Sequence, residues 1–323
     1  MKLWKKIILI TIISIVALFA LVILSLSIAK QIVYADYVKN KEVVCKIPGL
    51  SEGYVPQGLC YVDDKDTYIF TGYNEDYLAI YVVKDNKAVE LISVEENGER
   101  TKSHGGGVTC VGEYVYIVEE SGVQIFKRSD ILNGKDGGKV TPVDKVQVEV
   151  KPSCTFNDDK YIYFAEFHDG NKYVADPTHT YVTPAGDENH AFIVAYKLSS
   201  NGSFDNEAPE YFISVKDKVQ GFIKDGDVYA LSTSYGLSSS HLTFYKEAKD
   251  SGKTVMLGDT EVPLYYLDSS NMTKDVAMPA FSEDMDIVNG RVIVSFESAC
   301  NKYIVGKFFF ANKVISYPME IEE

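Results

Sequence analysis

Two unlike patterns make up the chain. Residues 7–29 carry no charge, and neither Gly nor Pro interrupts them. After residue 40 the pattern becomes short runs of Val, Ile, Tyr and Phe, broken every few residues by Asp, Asn or Gly. Such runs predict β-strands, and helical periodicity is almost absent.

The strand region repeats itself. A tight hairpin leading into an aromatic-rich strand occurs five times, at 61–70, 111–117, 156–164, 223–231 and 287–294. Asp, Asn or Gly sits in every turn, as two-strand connections with positive φ demand. A third strand follows each hairpin, at 79–81, 124–126, 194–196, 243–245 and 315–317, and each carries an aromatic. A fourth follows the first four, at 91–94, 146–150, 211–215 and 276–279. None follows Tyr317, yet an unpartnered strand at 42–47 precedes the first hairpin. A four-stranded unit repeated radially, its last copy completed by the first strand, is how a β-propeller closes. The prediction is an all-β, five-bladed β-propeller preceded by one transmembrane helix.

That helix is residues 7–29, about 34 Å long and sufficient for a bilayer core. Lys2, Lys5 and Lys6 precede it and Lys30 follows. The positive-inside rule then puts 1–6 in the cytoplasm as a stub and the rest outside the cell membrane. Residues 30–41 become a tether and 42–323 the propeller domain. Ser27-Ile28-Ala29 resembles a cleavage site, so a cleaved signal peptide is the alternative; the length of the run favours an uncleaved anchor.

The net charge is −14, and −18 without those four lysines. A surface so acidic repels phosphate backbones, which argues against nucleic acid and leaves cations compatible. The five cysteines form no CxxC pair and read as buried strand residues.

In a propeller the loops leading into the innermost strands share one face with the loops joining second to third strands. The hairpin turns lie on the opposite face and are plain. The shared face is richer, and binding groups on rigid scaffolds favour such loops. Gln57, His104, Gln220 and Glu283 are expected to ring its channel mouth, with Glu166, His168 and Glu297 further out. The long segment 168–190 holds His168, His179 and His190, and His241 falls in another loop. Tyr73, Tyr77, Phe167, Tyr173, Tyr181 and Tyr235 offer stacking surfaces. The ligand set is Gln57, His104, Gln220, Glu283, His168 and Tyr235.

Candidate chemistry stays open. Glu283, Glu166 and Glu297 are the carboxylates eligible for catalysis, with Glu283, Asp284 and Glu166 the candidates for a hard cation such as calcium. The histidines lack the spacing of a zinc motif, and no GxSxG, Walker loop or GxGxxG occurs.

Pro56-Gln-Gly58, His104-Gly-Gly-Gly107, Val219-Gln-Gly221 with residues 232–236, and Phe296-Glu-Ser298 resemble a loose group of exported bacterial propeller proteins of unassigned activity. More distantly the chain is similar to the lactonase and gluconolactonase-like calcium-dependent propellers. That second likeness implies a metal at the channel mouth on acidic and amide side chains. The expected function is a membrane-anchored, extracytoplasmic propeller binding a small polar ligand or a cell-envelope component at its loop-rich face. A calcium-dependent hydrolase of lactonase, esterase or glycosidase type is the first alternative. A protein-interaction scaffold is the second.

Overall fold

The computed structural model describes residues 3–309 and 311–319; residues 1–2 of the expected stub and residues 310 and 320–323 of the propeller lie outside it. Five sheets, each built on four antiparallel strands, form the blades. Their inner strands are Val55–Val62, Val108–Val111, Pro152–Asn157, Val219–Asp225 and Ser282–Val288. Each second strand returns through a tight turn, and in every turn at least one residue takes positive φ: Asp66, Gly112, Asp159, Gly226 and Asn289. Only residues that tolerate this region fit there, which is why the sequence marks these turns so clearly.

Ring closure follows the expected route. The N-terminal strand Glu42–Lys46 lies antiparallel to Lys313–Pro318 as the outer strand of blade five. Large aromatics such as Phe70, Phe126, Phe164, Phe222, Tyr163 and Tyr317 are fully buried. Apolar side chains from both faces of each sheet are thus removed from water, about 1.5–3 kcal/mol for each large one.

Several features depart from the repeat. A short strand, Gly138–Val140, joins the outer edge of blade one in parallel. The outer strand of blade two is Asp144–Val146, earlier than the expected 146–150. In blade four the chain between third and outer strands forms a hairpin, Lys249–Leu257 with Thr260–Tyr266, that extends blade three instead.

At the N-terminus a helix runs from Leu3 to Val33 and is long and apolar enough to cross a membrane. The stretch expected as a tether is helical too, Ala35–Asn40, and Tyr37 buries against the propeller beside Phe296, 6.4 Å between ring centres.

Candidate functional site

The mouth is built by a repeated irregularity. In blades one, three and four one inner-strand residue is left over between paired neighbours: Gln57, Ser153 and Gln220. In blade five the pairing skips from Ser282 to Met285, so Glu283 and Asp284 share the gap. In blade two the Val118 carbonyl accepts from Gly106 while the Val118 amide donates to Gly107, so Gly106 takes the equivalent place. A β-bulge re-aims the side chain of its extra residue. Gln57, Gln220 and Glu283 therefore occupy one ring, as expected, and Ser153 joins it. His104 stands two residues before its ring position. The missed Ser153 had a signal: Pro152-Ser-Cys154 matches Pro56-Gln-Gly58 in position.

Just below this ring the inner strands nearly touch. A Cβ on Gly107 would lie 2.6 Å from the Cys154 Cα, and one on Gly221 would lie 3.0 Å from the Glu283 carbonyl. Asp284 fills the remaining centre. Its Oδ2 accepts from the amides of Leu59 (3.1 Å) and Val108 (3.2 Å), tying blade five to blades one and two. Its Oδ1 is buried without a hydrogen-bond partner among the described residues, and burial pushes its carboxyl well above the usual range. One turn of strand deeper, Asp286 accepts from the Tyr61 amide at 2.6 Å, and burial raises it to about 7.

Two glutamates meet above this plug. Glu283 is 2% exposed and Glu297 7%. Their side chains hydrogen-bond to one another; burial and the neighbouring Glu297 charge push Glu283 well above the usual range. Burial raises Glu297 to about 7, against the pull of Lys302 and of hydrogen bonds from Glu283, Tyr303 and Gln57. Two carboxyls this close cannot both ionise cheaply, so the pair holds a proton between them at neutral pH. Gln57 fixes one side, its Nε2 donating to the Glu297 Oε2 at 3.0 Å and to the Pro56 carbonyl at 3.0 Å.

Residues 298–309 fold over the pair. Tyr303 stacks on Phe281 with ring centres 4.7 Å apart. Lys302 donates to the Tyr73 hydroxyl, and Tyr73 lies against His104 at 4.6 Å. His104 thus reaches the pair indirectly, through Tyr73 and Lys302. Phe281, two residues before Glu283, has φ +65°, a left-handed conformation costly for an aromatic residue. The amide of Glu297 donates to the Phe281 carbonyl at 3.0 Å and holds it there.

The remaining candidates gather around blades three and four. Glu166 is 1% exposed, and its Oε1 accepts from the Phe192 amide at 2.8 Å and pairs with the His179 Nδ1 at 2.6 Å. It fastens the long loop and stands apart from Glu283. His168 stacks on His190 at 4.8 Å and 15°, while the His190 Nδ1 meets the Asp217 Oδ1 at 2.9 Å. Tyr235 is exposed beside Phe167, 5.9 Å between ring centres. His241 is a strand residue rather than a loop residue, paired with Asp275 at 2.7 Å. Tyr77 and Tyr181 carry the cations Arg100 and Lys253 on their rings, so the six tyrosine and phenylalanine candidates do not line one pocket.

Neither cation site fits well. At the mouth, Glu283, Glu297, the Gln57 side-chain oxygen and the Asp284 Oδ1 are the available donors, since the Asp284 Oδ2 already serves two amides. Calcium takes six to eight oxygens, and here a shared proton and the Lys302 ammonium supply the positive charge. His168, His190 and Asp217 bring donor atoms within 4.8 Å of one another. Their two imidazoles are stacked, however, so the ring lone pairs run parallel and one ion cannot lie in both ring planes.

No protein-family model matches the chain, and no curated protein matches it by sequence. Solved structures are similar in chain path. A luciferin-regenerating enzyme is 11% identical with a TM-score of 0.43, covering 86% of this chain and 95% of that one. A gluconolactonase from Xanthomonas campestris is 9% identical at 0.39, covering 86% and 94%. The WD40 domain of Neurospora crassa Pan2 is 6% identical at 0.35, covering 88% and 97%. The likeness is one of fold.

Proposed function

We propose that this chain is a membrane-anchored, extracytoplasmic propeller whose mouth binds a small polar ligand, or the polar part of a cell-envelope component, at Glu283 and Glu297. The supporting observation is the geometry of that pair: two carboxyls buried side by side at the mouth, one of them held by Gln57, where burial raises both. A carboxyl kept neutral at pH 7 donates a hydrogen bond, while its partner accepts one. Side by side they suit a hydroxyl or amide, which needs both. Gln57 keeps Glu297 oriented, and Tyr303 and Lys302 close the site from above. Binding requires residues 298–309 to lift, and the Tyr303–Phe281 stack is the contact that must part.

Saturation-transfer NMR with N-acetylglucosamine and gluconolactone as probes tests this reading. Transfer to at least one probe is expected, and Glu297→Gln should weaken it without lowering the melting temperature. Transfer unchanged by Glu297→Gln and Glu283→Gln, or absent for both probes, overturns it. The hydrolase alternative assigns the same two carboxyls as acid and base. Under that reading gluconolactone turns over, and Glu283→Gln abolishes turnover while the protein stays folded.

A further inference from the structure

The loop-rich face and the apolar helix belong to one surface. Lys30 ends the uncharged run, and its ammonium donates to the Phe309 carbonyl in the segment that covers the mouth. One turn later the Tyr34 hydroxyl meets the Ser239 Oγ at 3.2 Å, in the loop joining second and third strands of blade four. The helix Ala35–Asn40 then descends the side of the propeller, and Arg291, beside the blade-five hairpin turn, donates to the Asn40 carbonyl at 3.1 Å. The span therefore approaches from the mouth side, not from the side of the hairpin turns.

A second observation is independent of that path. Large apolar side chains stand exposed in the mouth-face loops: Ile304 (76%), Val305 and Phe308 in the loop joining second and third strands of blade five, Leu237 (56%) in blade four, and Val174 and Val182 in blade three. Among the described residues the five hairpin turns of the opposite face expose none. Ile32 and Val33, exposed at the end of the helix, continue the apolar surface of the span toward the mouth.

From these two observations we infer that the mouth face of the propeller lies on the bilayer that the helix crosses, with Ile304, Val305 and Phe308 seated at the boundary of headgroups and acyl chains. The first charge after a span rests at headgroup depth, and here that charge is bonded to the covering segment itself. The occupant of this apolar surface is lipid. The helix, at about 46 Å for its 31 residues, exceeds a core of about 30 Å and can tilt to bring the loops down. This inference needs the helix to span the membrane and is independent of what the carboxyl pair binds. It also places the mouth where its ligand arrives along the membrane surface.

The test uses the full chain in phosphatidylcholine–phosphatidylglycerol nanodiscs with a fluorophore at Val305→Cys, at Leu237→Cys, or at Asp227→Cys in a hairpin turn of the opposite face. Lipids carrying doxyl groups should quench the first two labels and leave the third bright, while aqueous iodide should do the reverse. The double variant Ile304→Asp/Phe308→Asp, checked for an unchanged melt, should lose doxyl quenching at position 237. Iodide quenching at 305 without doxyl quenching overturns the inference. So does shielding of 305 from both quenchers, which would mark a protein contact in place of lipid. Recovery of a chain lacking its helix overturns it by removing the span it rests on, and leaves the ligand reading standing.

Discussion

Glu166 and Glu297 both stand at the mouth-side end of a second strand, in blades three and five, and both are almost wholly buried. Their partners differ. Glu166 receives a backbone amide and an imidazole, so its place is fixed. Glu297 receives Gln57 on one side and a second carboxyl on the other. Burial alone therefore does not distinguish the two acids; what faces each of them does. The first arrangement is a fastening, and the second stores a proton.

The sharpest way to break this comparison is truncation. Glu166→Ala leaves His179 and the Phe192 amide unpaired in the interior and should cost about 3 kcal/mol in thermal melts, whereas Glu297→Gln should stay within about 1 kcal/mol at pH 7. Equal costs would erase the distinction. Next comes the plug: Asp284→Leu deprives the Leu59 and Val108 amides of their acceptor, and a loss of about 2 kcal/mol is expected in chemical denaturation. A neutral result would mean that the inner strands hold the ring shut without it.

The pH dependence is the third test. Glu297 rises from an ordinary 4.5 to about 7, and Glu283 is raised as well, so the folded state binds more protons than the unfolded one across this window. Stability is then full below about pH 4.5 for these groups and falls as pH rises toward and past 7, by at most about 1.4 kcal/mol per pH unit for each proton. Asp286, also raised to about 7, contributes in the same direction. Glu283→Gln should flatten the fall without abolishing it, and a wild-type melt that rises between pH 5 and 7 would refute the shared proton. The smallest effect concerns calcium. Millimolar calcium and its chelation should leave the melt at pH 6 unmoved, because the cation must displace a proton and compete with Lys302. A clear stabilisation that grows with pH would favour the hydrolase alternative.

The blade count and the closing strand were legible because each rests on local signals. Turns such as Asn289-Gly290 need positive φ, and strands such as 194–196 carry an aromatic in register. The hairpin at Lys249–Leu257 and Thr260–Tyr266 was not legible, since its parallel attachment to blade three depends on a partner strand far away in sequence. The same holds for Gly138–Val140 on blade one. At the site, Gln57, Gln220 and Glu283 could be placed on one ring from the chain direction of their strands. The sequence could not say that Glu283 would meet Glu297, or that Glu166 would be taken by His179, because loops of unequal length decide those meetings. Nor did residues 30–41 announce a helix, with Tyr37 held by tertiary burial and not by length.

The strand that seals the ring has a consequence for how the protein is made. Glu42–Lys46 is synthesised near the start and pairs with Lys313–Pro318 near the end. The early strand therefore keeps its edge open until Lys313–Pro318 has been made. Contacts that join the two ends are the slowest to form. Blades one to four can assemble in order, while blade five, which carries the carboxyl pair, waits for Lys313–Pro318. The sheet that carries the carboxyl pair is thus complete only once strands 42–46 and 313–318 have met.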